Sequence, residues 1–110
     1  CENYQSVLPI LQKNISNLDL EKNSNIISKD IFNLNRLDFI DKKFEVIFLD
    51  PPYKEERLKE LLEKFINFKI LKKNGIFIIH RHKKEKDEFP SNFKILKEKT
   101  YGISKIIIGI

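Results

Sequence analysis

The stretch Phe44-Glu45-Val46-Ile47-Phe48-Leu49 carries one polar residue, Glu45, and runs directly into Asp50-Pro51-Pro52-Tyr53. An apolar run without regular polar alternation suits a strand covered on both faces, as in a parallel sheet. Pro51 biases Asp50 towards extended backbone, and each proline fixes its own φ. Neither proline has an N–H to satisfy, while both carbonyls remain acceptors. The segment therefore reads as a buried strand ending in a rigid ledge that projects a carboxylate, a carbonyl and an aromatic ring. In open α/β sheets, ligands bind beyond the carboxyl ends of the strands, and Asp50 stands at that end.

The rest of the chain supplies the partners such a strand needs. Val7, Leu8, Leu11, Ile15 and Leu18 recur at helical spacing, giving an amphipathic helix over about residues 5–18 with Pro9 in its first turn. Asn25–Ser28 is a short strand candidate around Ile26-Ile27, and Ile31–Ile40 a short helix with Phe32, Leu37 and Ile40 inward. After the ledge, Leu58, Leu61, Leu62, Phe65 and Ile66 form a helical stripe within residues 55–68, with Glu55–Lys59 and Glu60–Lys64 as i, i+4 pairs. Asn74-Gly75 signals a turn before a second buried strand, Ile76–Ile79. Phe93–Lys97 and Ile103–Ile108 flank Tyr101-Gly102 as two antiparallel strands. Strands alternating with helices and closed by a hairpin indicate an α/β domain with a mostly parallel sheet.

Length and composition bound the function. The 110 residues allow one small domain, and 41% apolar with 34% charged residues is the balance of a soluble globular chain. No apolar run is long enough to span a bilayer, and the N-terminus lacks the pattern of a signal peptide. The lone cysteine, Cys1, suits a reducing cytoplasm, and a net charge of +5 permits a polyanionic partner. No methionine occurs at any position and the chain opens on Cys-Glu-Asn, so a piece of a longer protein is expected.

Asp-Pro-Pro-Tyr resembles the catalytic loop of S-adenosylmethionine-dependent methyltransferases that modify exocyclic amines of nucleobases. The amine's lone pair is delocalised into the ring; acceptors engaging its N–H bonds favour a more tetrahedral nitrogen aimed at the sulfonium methyl. Asp50 carboxylate and the Pro51 carbonyl are the candidate acceptors, with Pro52 stiffening the ledge. Tyr53 would stack on a base taken out of its helix.

Nearly the whole chain is similar to the C-terminal two-thirds of the RsmD-type family, bacterial guanine-N2 methyltransferases of small-subunit ribosomal RNA. The resemblance implies a Rossmann-like class I sheet ordered 3-2-1-4-5-7-6, here without its first strand, so that Phe44–Leu49 exposes an unpaired apolar edge. It implies that Glu2, ending the second strand, contacts the cofactor ribose, and that Lys13-Asn14 matches the family's pair in the helix that follows. Asp30, with Ile31 beside it, would contact the adenine; on its own Asp30 also reads as a helix cap. The fifth strand, Gly75–Lys84, resembles versions of the family in which His-Arg-His replaces an acidic ending, and Lys97–Ile110 matches the closing hairpin. The partner implied is ribosomal RNA or the small-subunit particle, with no membrane, and the complete protein a monomer. The glycine-rich loop that holds the methionine end of the cofactor is absent, so these residues alone are expected to bind S-adenosylmethionine far more weakly than a complete enzyme.

Tyr53, Lys54, Arg81, Lys83 and Lys84 are the candidate nucleic-acid contacts, although Glu85, Asp87 and Glu88, interleaved with the basic cluster, also suit a solvated loop. His80 and His82 share one face of their strand and form a conceivable metal pair. No third ligand is suggested and methyl transfer from a sulfonium needs none, so no metal is expected. Two rival readings remain: an adenine-N6 methyltransferase of DNA or RNA, and a non-catalytic RNA-binding domain of the same fold.

Overall fold

The helical periodicity near the N-terminus forms α1, Leu8–Asn17, with Pro9 in its first turn, in the computed structural model, which describes residues 1–37 and 40–110. The chain divides into two units, Cys1–Arg36 and Leu37–Ile110. In the first, Leu8, Leu11 and Ile15 of α1 are half-buried, whereas Val7 and Leu18, expected on the same apolar stripe, are exposed. No residue of this unit is fully buried, since so short a segment encloses too little volume for a core. Asn25–Ser28 accordingly does not form the expected strand: it has no ladder, and the Glu2 N–H donates to the Ile27 carbonyl at 3.0 Å. The helix expected over 31–40 is a single 3-10 turn, Ile31–Asn33. Leu37 is buried as expected, Phe32 and Ile40 are half-buried, and positions 38 and 39 of that expectation lie outside the described residues.

The second unit holds a mixed sheet. Phe44–Leu49 is β1, Leu58–Asn67 is α2, Leu71–His82 is β2, and Ile95–Tyr101 and Ser104–Gly109 are β3 and β4. The order β1-β2-β4-β3 is the 4-5-7-6 half of the sheet that the resemblance implies. β1 and β2 run parallel through α2, and β4 is antiparallel to both β2 and β3. β2 is longer than the expected Ile76–Ile79 because Asn74-Gly75 makes a bulge rather than a turn. The register jumps from Phe44↔Leu71 to Val46↔Ile76, and Asn74 takes the left-handed conformation at φ 65°, which asparagine tolerates. Gly75 is needed there because a Cβ would lie 2.8 Å from Leu71 Cγ.

α2 buries Leu58, Leu61, Leu62 and Phe65 against the sheet face carrying Phe77, Ile79 and Ile107. Phe65 and Phe77 are near-parallel at 6.4 Å between centroids, and Phe93 packs on Phe77 at 5.9 Å. Phe93 reaches that place only because Gly109 has no side chain; a Cβ there would be 2.3 Å from Phe93 Cζ. The helix begins after residue 55, so Glu55 does not pair with Lys59: it pairs with Arg57, and Lys59 reaches Glu88 at 3.3 Å.

β1 is not buried on both faces. As the edge strand it is covered on the α2 side, where Ile47 and Leu49 lie in register with Phe77 and Ile79. On the other side Val46 and Phe48 are 51% and 59% exposed, next to Ile76 and Ile78. An apolar edge with unpaired backbone groups is a template for further pairing or aggregation.

Candidate active site

The register that pairs Phe48 with Ile78 and Leu49 with Ile79 carries Asp50 alongside His80 one step beyond the end of β1. Their side chains meet: His80 Nδ1 is 2.8 Å from Asp50 Oδ1. The other ring nitrogen, Nε2, is 3.0 Å from Ser104 Oγ at the start of β4. Asp50, His80 and Ser104 thus form a hydrogen-bonded row across three strands, in the order β1, β2, β4. The imidazole is 24% exposed and the carboxylate 59%, so the row ends in a carboxylate open to solvent.

The same strand positions the rest of the ledge. Side chains alternate across β2, which puts His80 and His82 on one face and Arg81 on the other, in phase with buried Phe77 and Ile79. His82 meets the Tyr53 ring edge-on, with centroids 5.5 Å apart and planes at 73°. The Lys84 amide donates to His82 Nδ1 at 3.1 Å, which makes Nδ1 the unprotonated nitrogen. Tyr53 remains 52% exposed.

Arg81 supports the ledge from beneath. Its Nη1 donates to the Pro52 carbonyl at 2.9 Å and its Nη2 to the Glu55 carbonyl at 3.0 Å. Its Nε and Nη2 engage Asp87, the closest approach being 2.8 Å. The Arg81 side chain is 2% exposed and that of Asp87 7%. Arg81 is therefore not an RNA contact, contrary to the sequence expectation, because its fork is fully engaged inside the protein. The expectation that both proline carbonyls stay free also needs correction. The Pro52 carbonyl accepts from Arg81 and from the Glu55 amide, which leaves that of Pro51, a buried residue, as the candidate.

Beside this lock, the Arg57 hydrogen bonds hold the Glu55 carboxyl below its usual range, against a smaller opposing effect of burial. That pairing is complete above the ordinary glutamate range and is lost as pH falls through the lowered value. A concavity of about 470 Å³ opens on the Arg81 side, lined by acidic residues, among them Glu55, Glu56, Glu60 and Glu85, and also by Lys59 and Lys86. It lies across β2 from Asp50, since Arg81 alternates with His80.

Of the other expected nucleic-acid contacts, Lys54, Lys83 and Lys84 are exposed. Lys84 is tied to Tyr53 through His82, and the Lys83 amide donates to the Ile103 carbonyl at 2.8 Å. The structure thus brings the Tyr53 ring and the Lys84 backbone amide to His82, which the sequence offered as a conceivable metal partner of His80.

The expected cofactor residues Glu2, Asp30 and Ile31 belong to the first unit. The bond from the Glu2 amide to the Ile27 carbonyl, and that from Cys1 Sγ to the Lys29 carbonyl at 3.0 Å, lay the N-terminal residues along 27–29. Glu2 Oε1 accepts from the Asn3 and Tyr4 amides at 2.8 Å each. Asp30 caps its turn through Oδ1 to the Phe32 amide, and its Oδ2 accepts from Asn33 at 2.6 Å. Both carboxylates are thus held by neighbouring groups of their own segments.

Comparison with known proteins follows the same lines. The family described as "Conserved hypothetical protein 95" matches residues 1–110. Ribosomal RNA small subunit methyltransferase D of Buchnera aphidicola is 32% identical over 93 residues, covering 81% of this chain and 46% of that protein. YlbH of Bacillus subtilis is 31% identical over 101 residues, covering 89% of this chain and 54% of YlbH. The chain therefore spans about half the length of the curated relatives it matches. A conserved hypothetical protein of Streptococcus pyogenes superposes with a TM-score of 0.78 at 25% identity, over 98% of this chain and 67% of that one. The chain belongs to the Conserved hypothetical protein 95 family, the RsmD family.

Proposed function

We propose that the protein to which this chain belongs transfers a methyl group from S-adenosylmethionine to the N2-amino group of a guanine in small-subunit ribosomal RNA. The observation that carries the proposal is the ledge: a solvent-open carboxylate at the end of β1 and the exposed Tyr53 ring, with the Pro51 carbonyl as the second acceptor that the resemblance implies. Family membership and the name of the Buchnera relative support RNA methylation; the choice of guanine N2 rests on the resemblance. The donor, when bound, supplies an electrophilic methyl. The chain's own part is to hold the base and its amine. Tyr53 stacks on the extruded ring, and Asp50 and the Pro51 carbonyl accept the two N–H bonds, turning the nitrogen lone pair towards the methyl. After transfer the nitrogen gives up one proton, and the Asp50 carboxylate lies closest to receive it. Most of the rate enhancement in such a site comes from alignment. Glu2 and Asp30 are the proposed holders of the ribose and the adenine.

Ribosomal RNA from cells lacking the gene, incubated with the complete protein and labelled donor, should take up label and yield N2-methylguanosine on digestion. N6-methyladenine would assign the chain to the adenine-modifying reading, and no uptake to the binding reading. Phosphate contacts have their own signature: the logarithm of RNA affinity should fall linearly with that of salt concentration. Replacing Lys83 and Lys84 with Gln should flatten that slope by about 1–2, as expected for two lost phosphate contacts. An unchanged slope returns these lysines to a solvated turn.

A further inference from the structure

We propose that His80 is a positioning residue, which clamps the Asp50 carboxylate into its working orientation through a row anchored at Ser104. The inference rests on the reading of Asp50 as an acceptor for the substrate amine. It extends that reading to two residues that do not touch substrate.

The argument starts from freedom. A carboxylate at the end of an edge strand, 59% exposed, has several rotamers open to it. An acceptor that must meet an N–H at hydrogen-bond distance gains from being held in one of them. The neighbouring strand supplies the clamp: His80 Nδ1 lies 2.8 Å from Oδ1, which leaves Oδ2 to face a ligand. The imidazole is itself fixed, because Ser104 Oγ meets its far nitrogen at 3.0 Å. Nothing on β1 alone could provide this. The clamp depends on the parallel register that puts His80 beside Asp50 and on the antiparallel one that brings Ser104 opposite His82.

Proton placement follows from donor and acceptor chemistry. An ionised carboxylate has no hydrogen to give, so Nδ1 must carry the proton and donate to Oδ1. In the neutral ring Nε2 is then an acceptor, and the Ser104 hydroxyl turns to donate to it. The row reads Ser104 O–H to Nε2, then Nδ1–H to Asp50. His82, two residues on, has the opposite tautomer, since its Nδ1 accepts from the Lys84 amide. The two histidines therefore have separate tasks: His80 orients the carboxylate, and His82 backs the Tyr53 ring.

Two near-isosteric replacements separate the ends of the imidazole. Asn at position 80 keeps an N–H donor where Nδ1 stood, and Gln keeps a polar group where Nε2 stood but offers Asp50 no equivalent donor. In the complete protein with saturating donor and RNA, His80→Gln should lower kcat on the order of 10- to 100-fold, the usual loss when a partner that orients an acting group is removed. KM for RNA and affinity for the donor should stay within about three-fold of wild type, because the residue acts through orientation rather than binding. His80→Asn should restore most of that loss, and Ser104→Ala should cost only a few-fold because Nδ1 still donates. Nitrogen-15 NMR of the wild-type rings should show His80 as the Nδ1–H tautomer and His82 as Nε2–H. Equal loss in His80→Asn and His80→Gln, no loss in either, or an Nε2–H His80 overturns the clamp. A reduced rate in Asp50→Ala with an unaffected His80→Gln removes this inference and leaves the proposed function standing. A wild-type rate in Asp50→Ala removes both.

Discussion

Asp50→Ala should lower methyl transfer by the complete protein on the order of 10³-fold, with the fold and much of the donor affinity retained. The side chain is 59% exposed and carries no part of the core, so its removal leaves packing untouched. What is lost is the charged acceptor aimed at the amine. Removing one preorganised hydrogen-bonding group from a site of developing charge typically costs about 10²–10³ in kcat. Asp50→Asn should sit nearer 10²-fold, because an amide oxygen still accepts but without the charge that strengthens the bond and receives the proton. Single-turnover rates at saturating donor and RNA, beside circular dichroism of each variant, make the measurement. Rates equal to wild type in both variants would falsify the role assigned to Asp50.

Arg81→Ala should lower the unfolding free energy by about 3–5 kcal/mol, the cost of leaving the other half of a buried ion pair uncompensated. Arg81 and Asp87 side chains are 2% and 7% exposed, and the guanidinium also satisfies the Pro52 and Glu55 carbonyls. That is a large share of the stability of a small domain, so Arg81→Lys is the more tractable variant. An ammonium lacks the planar fork that reaches two carbonyls and a carboxylate at once, and a loss of about 1–3 kcal/mol is expected. Replacing the pair together, Arg81→Met with Asp87→Leu, should recover part of the Arg81→Ala loss, since no lone charge is left inside. Urea unfolding followed by circular dichroism reads all three. A loss below about 1 kcal/mol in Arg81→Ala would show that the guanidinium does not hold the ledge. The salt dependence of RNA affinity separates the same residue from its neighbours: Arg81→Lys should leave the slope unchanged where the Lys83 and Lys84 replacements flatten it.

Strand and helix identity in the second unit was legible because it is encoded locally. Phe44–Leu49 is a strand with the expected bounds, α2 carries the expected stripe, and the hairpin forms, although β3 runs Ile95–Tyr101 rather than 93–97, so Tyr101 lies in the strand and not in the turn. The errors have a common source. Asn74-Gly75 satisfies a turn and a bulge equally well, and only the position of β1 selects the bulge. Asn25–Ser28 has strand composition, but a strand exists only through a partner's ladder, and its own unit supplies none. β1 has the composition of a strand covered twice and stands at the sheet's edge, where the resemblance, not the composition, puts it.

The ledge was equally local: Asp-Pro-Pro-Tyr sets its own stiffness through two fixed φ angles, and its chemistry followed from four adjacent residues. The fate of Arg81 was half legible, since strand alternation already put it in phase with Phe77 and Ile79 and out of phase with His80. Its basic neighbours obscured that, and no linear pattern names Asp87, Pro52 and Glu55 as the groups that close around it. The Asp50–His80–Ser104 row lies wholly beyond local reading. Its members are separated by 30 and 24 positions, and hydrogen bonds of that kind depend on strand register. Local propensity specifies which way a backbone runs; register is decided when whole faces of apolar side chains are buried together, and that decision placed a histidine beside the carboxylate.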